Sequence, residues 1–317
     1  MERNFRALLS VRWAQGLFVC IGLDPVLERI PRFRGQHQST AGMIAQFNRQ
    51  IVKATHHLVC AYKPNSAFYE RYGEAGLAAL RMTIRQIRAI APEVPVILDI
   101  KRGDIGSSNL GYIEAAFDYF RADAVTVHPY LGMEAMKPFL DQKDKGVIVL
   151  CRTSNPGAGE FQDLEVDIGE QLAAEWGLAR RRVAAGTDVE LATWPRLPFY
   201  QVVAHRVTRS WNYNDNCGLV VGATYPGELE VVRKIAPRLP FLIPGVGTQG
   251  GDLEAAVRAG ADSEGRGMII NSSSALIFAY EKRDDLAAKD FAEAARDVAQ
   301  QMHDQITAAL RGSEREE

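Results

Sequence analysis

Short apolar runs alternate with longer amphipathic stretches along this chain. Eight of the runs are apolar nearly throughout: 17–23, 57–62, 95–100, 123–128, 146–151, 218–223, 240–245 and 267–271. Continuous apolar sequence, rather than strict alternation, is typical of parallel strands that are covered on both faces. The pattern therefore predicts eight buried parallel strands.

Helical patterns fill most of the gaps between these runs. Apolar residues recur at helical spacing within 43–57, 76–91, 228–239 and 252–260. Eight strand–helix units predict an α/β fold, a single (β/α)8 TIM barrel formed by residues 1–317 as one domain. A doubly wound open sheet is the alternative, because the number of strands does not show whether the sheet closes.

Two segments depart from the regular alternation. Near the N-terminus, Phe5, Leu8, Leu9 and Trp13 recur at helical spacing and predict a leading amphipathic helix. Between the fifth and sixth strands, residues of about 160–215 form an insertion in which 167–186 has a helical pattern. This insertion either packs at the periphery or covers a substrate, and the sequence leaves both open.

Composition narrows the classes of partner. The formal net charge is -2, so no overall basic bias favours nucleic acid or an anionic membrane. No apolar run approaches the roughly 20 residues of a membrane span. The 4 cysteines are scattered and form no CxxC pair, which favours reduced core thiols in a cytoplasmic protein.

Polar and charged residues follow the apolar runs at one end. Strands one to three lead into Asp24, Lys63 and Asp99, and strands five and eight lead into Ser154 and the serines 272–274. The carboxyl ends of barrel strands share one face, and function is found there. This convergence is stronger evidence for a functional site at that face than any one motif is.

The third strand ends in the stretch LDIKRGDIGSS, residues 98–108. Asp99 and Lys101 are two positions apart, so both side chains are predicted to point into the barrel. Asp104 follows on the loop, and Lys63 comes from the neighbouring strand. Alternating lysines and aspartates keep one another ionised in a restricted dielectric. Such an array can hold a lysine protonated as an acid.

A glycine-rich turn, GVGTQGG at 245–251, follows strand seven and includes Gln249 and Gly250. Exposed backbone N–H groups at such a turn can bind phosphate, and barrel phosphate sites often lie after strands seven and eight. No histidine or carboxylate spacing supports a metal site, and none is predicted.

In order along the chain, the segments CIGLDP, AYKPNSAFYE, LDIKRGDIGSS, VTVHPYLG, RTSNPGAGEFQ, LVVGATYP, IPGVGTQGGD and GRGMIINSSS resemble the orotidine 5'-phosphate decarboxylase family. The third matches the DxKxxDI signature of its long bacterial type. The resemblance implies a (β/α)8 barrel, usually a homodimer, without metal or organic cofactor. It also implies a small nucleotide substrate, decarboxylated to UMP in the last step of de novo pyrimidine biosynthesis.

The resemblance also implies roles for the charged array. Lys101 would protonate the carbon that CO2 leaves, and Asp99 would lie beside the substrate carboxylate. Asp24 and Lys63 would hold ribose hydroxyls. Asp104 would reach into the partner subunit's site.

Other implied substrate contacts complete the pocket. Ile105 and Ser108 would reach across the dimer to the pocket and ribose. Ser154 would bind the pyrimidine edge. Gln249, with Gly250 beside it, would hold the phosphate, and Ser273 is also predicted to contact substrate.

One departure from the family pattern concerns the phosphate. The family reads NSSR after strand eight, and this arginine binds phosphate bidentately. Here the sequence is NSSSAL, with Ser274 in the arginine's place. The resemblance therefore implies weakened phosphate binding unless another cation substitutes. Arg206 or Arg209 of the insertion is a candidate, whereas Arg266 precedes strand eight and is predicted at the opposite barrel end.

Overall fold

A computed structural model of the protein describes residues 3–31, 39–183, 190–246, 252–283, 285 and 290–313. Strands and α-helices of this part of the chain are numbered in chain order. Eight strands form one parallel sheet: β1 (Val19–Gly22), β2 (Val59–Lys63), β3 (Ile97–Arg102), β4 (Ala124–Val127), β5 (Gly146–Arg152), β10 (Cys217–Val221), β11 (Phe241–Ile243) and β12 (Met268–Ser272). Each lies within or overlaps one of the eight predicted runs.

The sheet curls into a barrel. Its strand order is β2-β1-β12-β11-β10-β5-β4-β3, so the first strand pairs with the last. The two end strands of this order, β2 and β3, meet through isolated parallel bridges, Tyr62 with Val96 and Asn65 with Asp99. The predicted barrel is confirmed, and the open-sheet alternative is wrong, because an open sheet would leave these two edges apart.

Helices surround the strands. The α-helices are α1 (Phe5–Ala14), α2 (Thr40–Thr55), α3 (Ala67–Glu70), α4 (Gly73–Ile90), α5 (Gly106–Ile113), α6 (Gly132–Leu140), α7 (Gly159–Gln162), α8 (Gly169–Glu175), α9 (Phe199–Arg206), α10 (Pro226–Ile235), α11 (Leu253–Gly260), α12 (Ser274–Ile277) and α13 (Phe291–Ser313). Short 3-10 helices span Leu27–Arg29, Pro156–Ala158 and Ala279–Lys282, and π-helical turns extend α5 and α9 over Glu114–Tyr119 and Val207–Trp211.

The leading helix α1 closes the amino-terminal end of the barrel. Its Phe5 ring lies so close to Gly146, the first residue of β5, that a Cβ at that glycine would collide with it. Trp13 donates its indole N–H to the carbonyl of Met268 at the start of β12, at 2.7 Å. A cavity opens at the opposite, carboxyl-terminal end of the barrel.

The chain between β5 and β10 contains two small two-stranded sheets. Strand β6 (Glu165–Asp167) pairs with β9 (Arg196–Pro198), and β7 (Arg180–Val183) pairs with β8 (Glu190–Thr193), both antiparallel. The helical prediction for 167–186 is confirmed over α8 and wrong for 177–183, because Gly177 takes a positive φ of 70° and ends the helix; residues 184–186 lie outside the described residues. Helix α9 then packs on the barrel core as an ordinary barrel helix, through Tyr200, Val203 and Ala204.

Two further observations bear on the composition. All four cysteines are buried and free. Within the described ranges, no helix has the length and apolar character needed to cross a bilayer.

Candidate active site

A cavity of about 640 Å³ opens at the carboxyl end of the barrel. Strand ends and the loops after them supply its walls. Its charged lining residues are Asp24, Arg29, Lys63, Asp99 and Lys101. Uncharged polar lining comes from Asn65, Thr126, Thr153, Ser154, Asn155, Gln162, Asn271, Ser272, Ser273 and Ser274. The convergence of strand ends therefore produces one polar pocket over an apolar barrel.

The Asp99 carboxylate is the centre of the charged group. One oxygen, Oδ2, accepts from Lys63 Nζ at 3.0 Å, and the other, Oδ1, accepts from Lys101 Nζ at 2.6 Å. Thr126 donates its hydroxyl to Oδ1 at 2.7 Å. Asp99 is 7% exposed and Lys63 is 4% exposed. Two cations and a hydroxyl thus hold one buried carboxylate.

Burial and neighbouring charges act in opposite directions on these groups. Burial alone would raise the pKa of Asp99, but Lys63 and Lys101 outweigh it and hold that pKa well below its usual range. Burial alone would lower the pKa of Lys63, but the Asp99 and Asp24 carboxylates raise it above its usual value. Both groups are therefore charged at neutral pH.

Lys101 has an unusual backbone. Its φ is 46°, in the left-handed region that side-chain-bearing residues rarely adopt. Its N–H donates to Thr126 Oγ1 at 3.0 Å, and the register between β3 and β4 shifts at this point. A strained residue of this kind persists only when its surroundings hold it, and such residues cluster at functional sites. Thr126 therefore helps to aim the Lys101 ammonium at Asp99.

Asp24, at the end of β1, lies on the adjacent wall. Its Oδ1 accepts from the N–H of Asn65 at 3.1 Å, and its Oδ2 accepts from the hydroxyl of Ser273 at 2.6 Å. These bonds tie the ends of β1, β2 and β12 together. The carboxylate is thereby fixed at the cavity wall, where ligand hydroxyls would find an acceptor.

Ser154 lies on the wall formed by the loops after β5 and β10. Thr224 donates its hydroxyl to the carbonyl of Ser154 at 3.3 Å. A side chain at Gly222 would collide with Ser154, so glycine permits this close approach. Apolar residues Leu150, Val220 and Leu242 line the same cavity, which therefore offers a planar heterocycle both a polar edge and an apolar floor.

A sequence model of the family described as "Orotidine 5'-phosphate decarboxylase / HUMPS family" matches residues 18–289. The chain belongs to this family. It is 42% identical over 307 residues to the orotidine 5'-phosphate decarboxylase of Cellvibrio japonicus, covering 96% of this chain and 99% of that protein. It is 46% identical over 306 residues to the protein of that name from Thermomicrobium roseum, covering 96% and 95%.

A solved structure of the family has the same fold. The Leishmania donovani OMP decarboxylase superposes with a TM-score of 0.74 at 34% identity, covering 97% of this chain and 98% of that chain. Within the described part of this chain, no group of three or more His, Cys, Asp or Glu side chains is arranged to hold a metal ion.

Three residues of the family-like stretch after β3 lie away from the cavity. Asp104 accepts through Oδ1 from the N–H of Ile105 at 2.7 Å, and neither residue lines the pocket. Ile105 is 66% exposed, and Ser108 is exposed on the first turns of α5. Within one chain, these residues are not brought to Lys101.

The predicted phosphate contacts have different outcomes. Gln249 and Gly250 lie outside the described residues. Ser274 begins α12 and lines the cavity next to Ser273.

The predicted replacements for the missing arginine are wrong. Arg206 lies over the ring of Trp176, and Arg209 donates to the carbonyl of Trp176 at 3.4 Å. Neither lines the cavity that contains Asp99, because α9 and the turn after it pack outside the barrel wall. Arg266 precedes β12, at the opposite end of the barrel, and pairs with Glu264 at 3.4 Å.

Sequence reasoning missed two side chains that line the cavity, Thr126 beside Asp99 and Arg29 on another wall. Thr126 was hidden because threonine is an ordinary strand residue; its only signal was a hydroxyl within an otherwise apolar run. Arg29 follows β1 by several residues on a short 3-10 helix. Nothing in its local sequence indicates that it returns to the cavity.

Proposed function

We propose that the chain is a carboxy-lyase that converts orotidine 5'-phosphate into UMP and CO2 in the cavity at the carboxyl end of its barrel. Nearly full-length relatives carry this name at 42% and 46% identity. The observation that carries the mechanism is the buried Asp99 carboxylate between Lys63 and Lys101. Packing of the apolar barrel core does not require these three charged groups.

The reaction requires a proton donor at a developing carbanion. The bond between the pyrimidine ring and its carboxylate breaks, and the electron pair remains on the ring carbon. The Lys101 ammonium gives its proton to that carbon as CO2 departs, and the neutral amine then recovers a proton from water. A cation placed where negative charge develops lowers the barrier without a cofactor.

Asp99 acts on the substrate carboxylate before CO2 departs. In the proposed complex its carboxylate is next to the substrate carboxylate, and their repulsion is relieved as CO2 leaves. An interaction that changes between ground state and transition state contributes to the rate, whereas uniform binding does not. Lys63 and Lys101 keep Asp99 ionised, which this role needs.

The remaining contacts position the nucleotide. Asp24 and Lys63 bind the ribose hydroxyls, and Ser154 binds the pyrimidine edge above its apolar floor. Gln249, Gly250 and Ser273 contribute on the phosphate side. Ser274 stands where the family pattern has arginine, so phosphate binding from this position is weakened.

We also propose that the active form is a homodimer. Asp104, Ile105 and Ser108 are directed away from their own cavity and reach that of the partner subunit. A surface rich in exposed apolar side chains supports this: Ile105 66%, Leu110 52%, Tyr130 83%, Leu131 45% and Met133 40% exposed. Single exposed apolar residues are ordinary, but a group of them marks an interface.

Mixing two inactive variants tests the shared site. Lys101→Ala and Asp104→Ala should each be nearly inactive alone. In a two-fold dimer, a mixed pair contains one site with both residues intact, so random exchange restores about a quarter of the sites. No recovery after proven subunit exchange would mean that Asp104 serves its own subunit, or does not act in catalysis.

This activity is proposed to supply UMP in the last step of de novo pyrimidine biosynthesis, in the cytoplasm. The chain would act as one barrel domain, with residues of about 160–215 as an excursion from it. Helix α9 lies inside that range yet packs as a barrel helix, which supports a single folding unit.

Loss of orotidine 5'-phosphate absorbance in the presence of EDTA tests the activity itself. We expect full turnover with the chelator. Absence of turnover at high enzyme and substrate concentrations would favour a non-catalytic nucleotide-binding paralogue. Loss of turnover with EDTA, restored by a divalent cation, would favour a metal-dependent sugar-phosphate lyase.

A further inference from the structure

The positive charges of the cavity are unevenly distributed. Among its described lining residues, three carry a positive charge: Arg29, Lys63 and Lys101. Both lysines contact the Asp99 carboxylate. A nucleotide that places its pyrimidine near these lysines carries its dianionic phosphate several bonds away. Arg29 is therefore the one cation of the described lining that is not already committed to the reacting end.

Arg29 lies on the same wall as Ser274. Its guanidinium carbon is 3.9 Å from the centre of the Phe278 ring. Phe278 in turn ends the single helical turn α12 that Ser274 begins, and its N–H donates to the Ser274 carbonyl at 3.2 Å. All three residues line the cavity. The Arg29 guanidinium thus lies against the wall formed by α12, although Arg29 itself is near the start of the chain, shortly after β1.

The Arg29 guanidinium is anchored by an ion pair that leaves some of its N–H donors available to a ligand. Its Nε and Nη2 donate to the two oxygens of Glu281 at 2.9 and 2.6 Å. This ion pair uses two of the five N–H donors of the side chain. The Arg29 side chain is 36% exposed and that of Glu281 is 35% exposed, so water screens the pair and a phosphate can compete for the arginine.

We propose that Arg29 binds the phosphate of the substrate and takes over the role that an arginine at position 274 would have. Guanidinium groups bind phosphate through parallel N–H donors, which gives direction as well as charge. Stacking on Phe278 orients the plane of the fork before substrate arrives. Glu281 keeps the arginine in place in the empty site and yields part of it when phosphate binds. This inference rests on the proposed function, because it assumes a phosphorylated nucleotide in the cavity.

Binding of UMP and of uridine, each measured by calorimetry, isolates the phosphate contribution. Removing a charge-assisted contact costs roughly 10- to 100-fold in affinity. We therefore expect Arg29→Gln to weaken UMP binding by that factor and to leave uridine binding within about twofold, since an uncharged ligand makes no such contact. Arg29→Lys should recover part of the loss. Equal weakening of both ligands, or of neither, would overturn the proposal.

Glu281→Gln is the matched control, because it breaks the same ion pair and leaves the cation. If Arg29 acts on phosphate, this variant binds UMP as tightly as the wild-type chain or more tightly. If Arg29 only supports the wall through Glu281, Glu281→Gln weakens UMP binding as much as Arg29→Gln does, and the proposal fails. Thermal melts of each variant show that the binding data come from folded protein.

A rescue experiment supplies a second, independent test. Ser274→Arg in the Arg29→Gln background should restore UMP affinity, and its effect there should exceed its effect in the wild-type chain. Equal effects in the two backgrounds would mean that the two positions do not serve the same phosphate. Turnover by the wild-type chain is scored separately. A wild-type chain that neither turns over substrate nor binds UMP refutes the proposed function, whereas an active chain with unaltered Arg29→Gln binding refutes only this inference.

Discussion

The two ends of the cavity handle charge in opposite ways. At the β2–β3 end, Asp99 is 7% exposed and its oxygens are already bonded to Lys63, Lys101 and Thr126. At the β12 end, Asn271 and the serines 272–274 offer only uncharged polar groups. The positive charge at this end is that of Arg29 on the short 3-10 helix after β1, whose side chain is about a third exposed and paired with Glu281.

This difference follows from what each end has to do. Groups that act on the reacting bond must be fixed before the reaction, because reorganising them would raise the barrier. A phosphate far from the reacting bond needs only a favourable cation within reach. If the proposed phosphate contact is correct, we expect the β12 end to tolerate substitution better than the lysine–aspartate end.

The largest effect should come from Lys101→Met, which keeps the aliphatic stem and removes the ammonium. Loss of a proton donor together with a transition-state cation should lower kcat by about 10³-fold or more. Steady-state turnover of orotidine 5'-phosphate measures it. Lys234→Met, on the exposed face of α10 and paired with Glu230, should leave kcat unchanged. A Lys101→Met enzyme with near-normal kcat would mean that Lys101 is neither the proton donor nor a cation needed for turnover.

Asp99→Asn should reduce both activity and stability. Removing one partner of a buried ion pair costs about 3–5 kcal/mol in the free energy of unfolding, because buried Lys63 loses the carboxylate that it contacts directly. Urea unfolding followed by tryptophan fluorescence measures this difference. Asp141→Asn, which disrupts an exposed pair with Lys137, should change stability far less.

The same variant has a defined pH dependence. The folded-state pKa of Asp99 is depressed, so its stabilisation is present above its unfolded pKa of about 3.9 and is lost as pH falls toward the folded value. The stability difference between wild type and Asp99→Asn should therefore be full at pH 7 and shrink below about pH 4. A difference independent of pH would mean that the carboxylate's charge does not stabilise the fold.

Thr126→Val should have an intermediate effect. It removes the hydroxyl that Lys101 and Asp99 share, so the buried Asp99 carboxylate loses one hydrogen-bond donor and the part-buried Lys101 N–H loses its acceptor, which costs about 1–3 kcal/mol. We expect kcat to fall about tenfold, because the lysine is less well aimed. Thr83→Val is matched in burial, since both residues are 1% exposed; its hydroxyl bonds to Asn48 between α2 and α4. Equal kcat in the two variants would contradict a positioning role for Thr126.

Ser274→Arg should have the smallest effect in the wild-type chain, a rise in kcat/KM of about threefold to tenfold. A second cation adds less where Arg29 already meets the phosphate, because charge contacts at one ligand are not additive. Ser274→Met adds bulk without charge and should not raise kcat/KM. A larger gain would mean that the phosphate end lacks an effective cation; no gain would mean that existing contacts are sufficient.

Much of the fold follows from the pattern of the sequence. Parallel strands covered on both faces must be apolar throughout, so runs such as 146–151 stand out. The helical prediction over 167–186 holds for α8 and fails at 177–183, because local periodicity does not show that Gly177 ends the helix and that Arg180–Val183 pairs with a second strand. Closure of the barrel depends on bridges between β2 and β3, which no local pattern contains.

The candidate site also has residues that the sequence predicts and placements that only the folded structure shows. Asp24, Lys63, Asp99, Lys101 and Ser154 could be grouped from sequence because the strand ends of a barrel converge on one face. Arg206 and Arg209 were wrong candidates because their side chains contact Trp176 outside the barrel and do not line the cavity, a placement that only packing decides.

The sequence by itself determined the eight-strand barrel pattern and the charged stretch from Asp99 to Asp104, since strand periodicity and strand ends are local properties. Only the tertiary structure decided that Thr126 aligns Lys101 and that Arg29 returns to the wall of Ser274. The residues that Arg29 contacts, Phe278 and Glu281, lie about 250 residues further along the chain. Contacts across such separations are set by how the barrel closes, so no local stretch of the sequence predicts them.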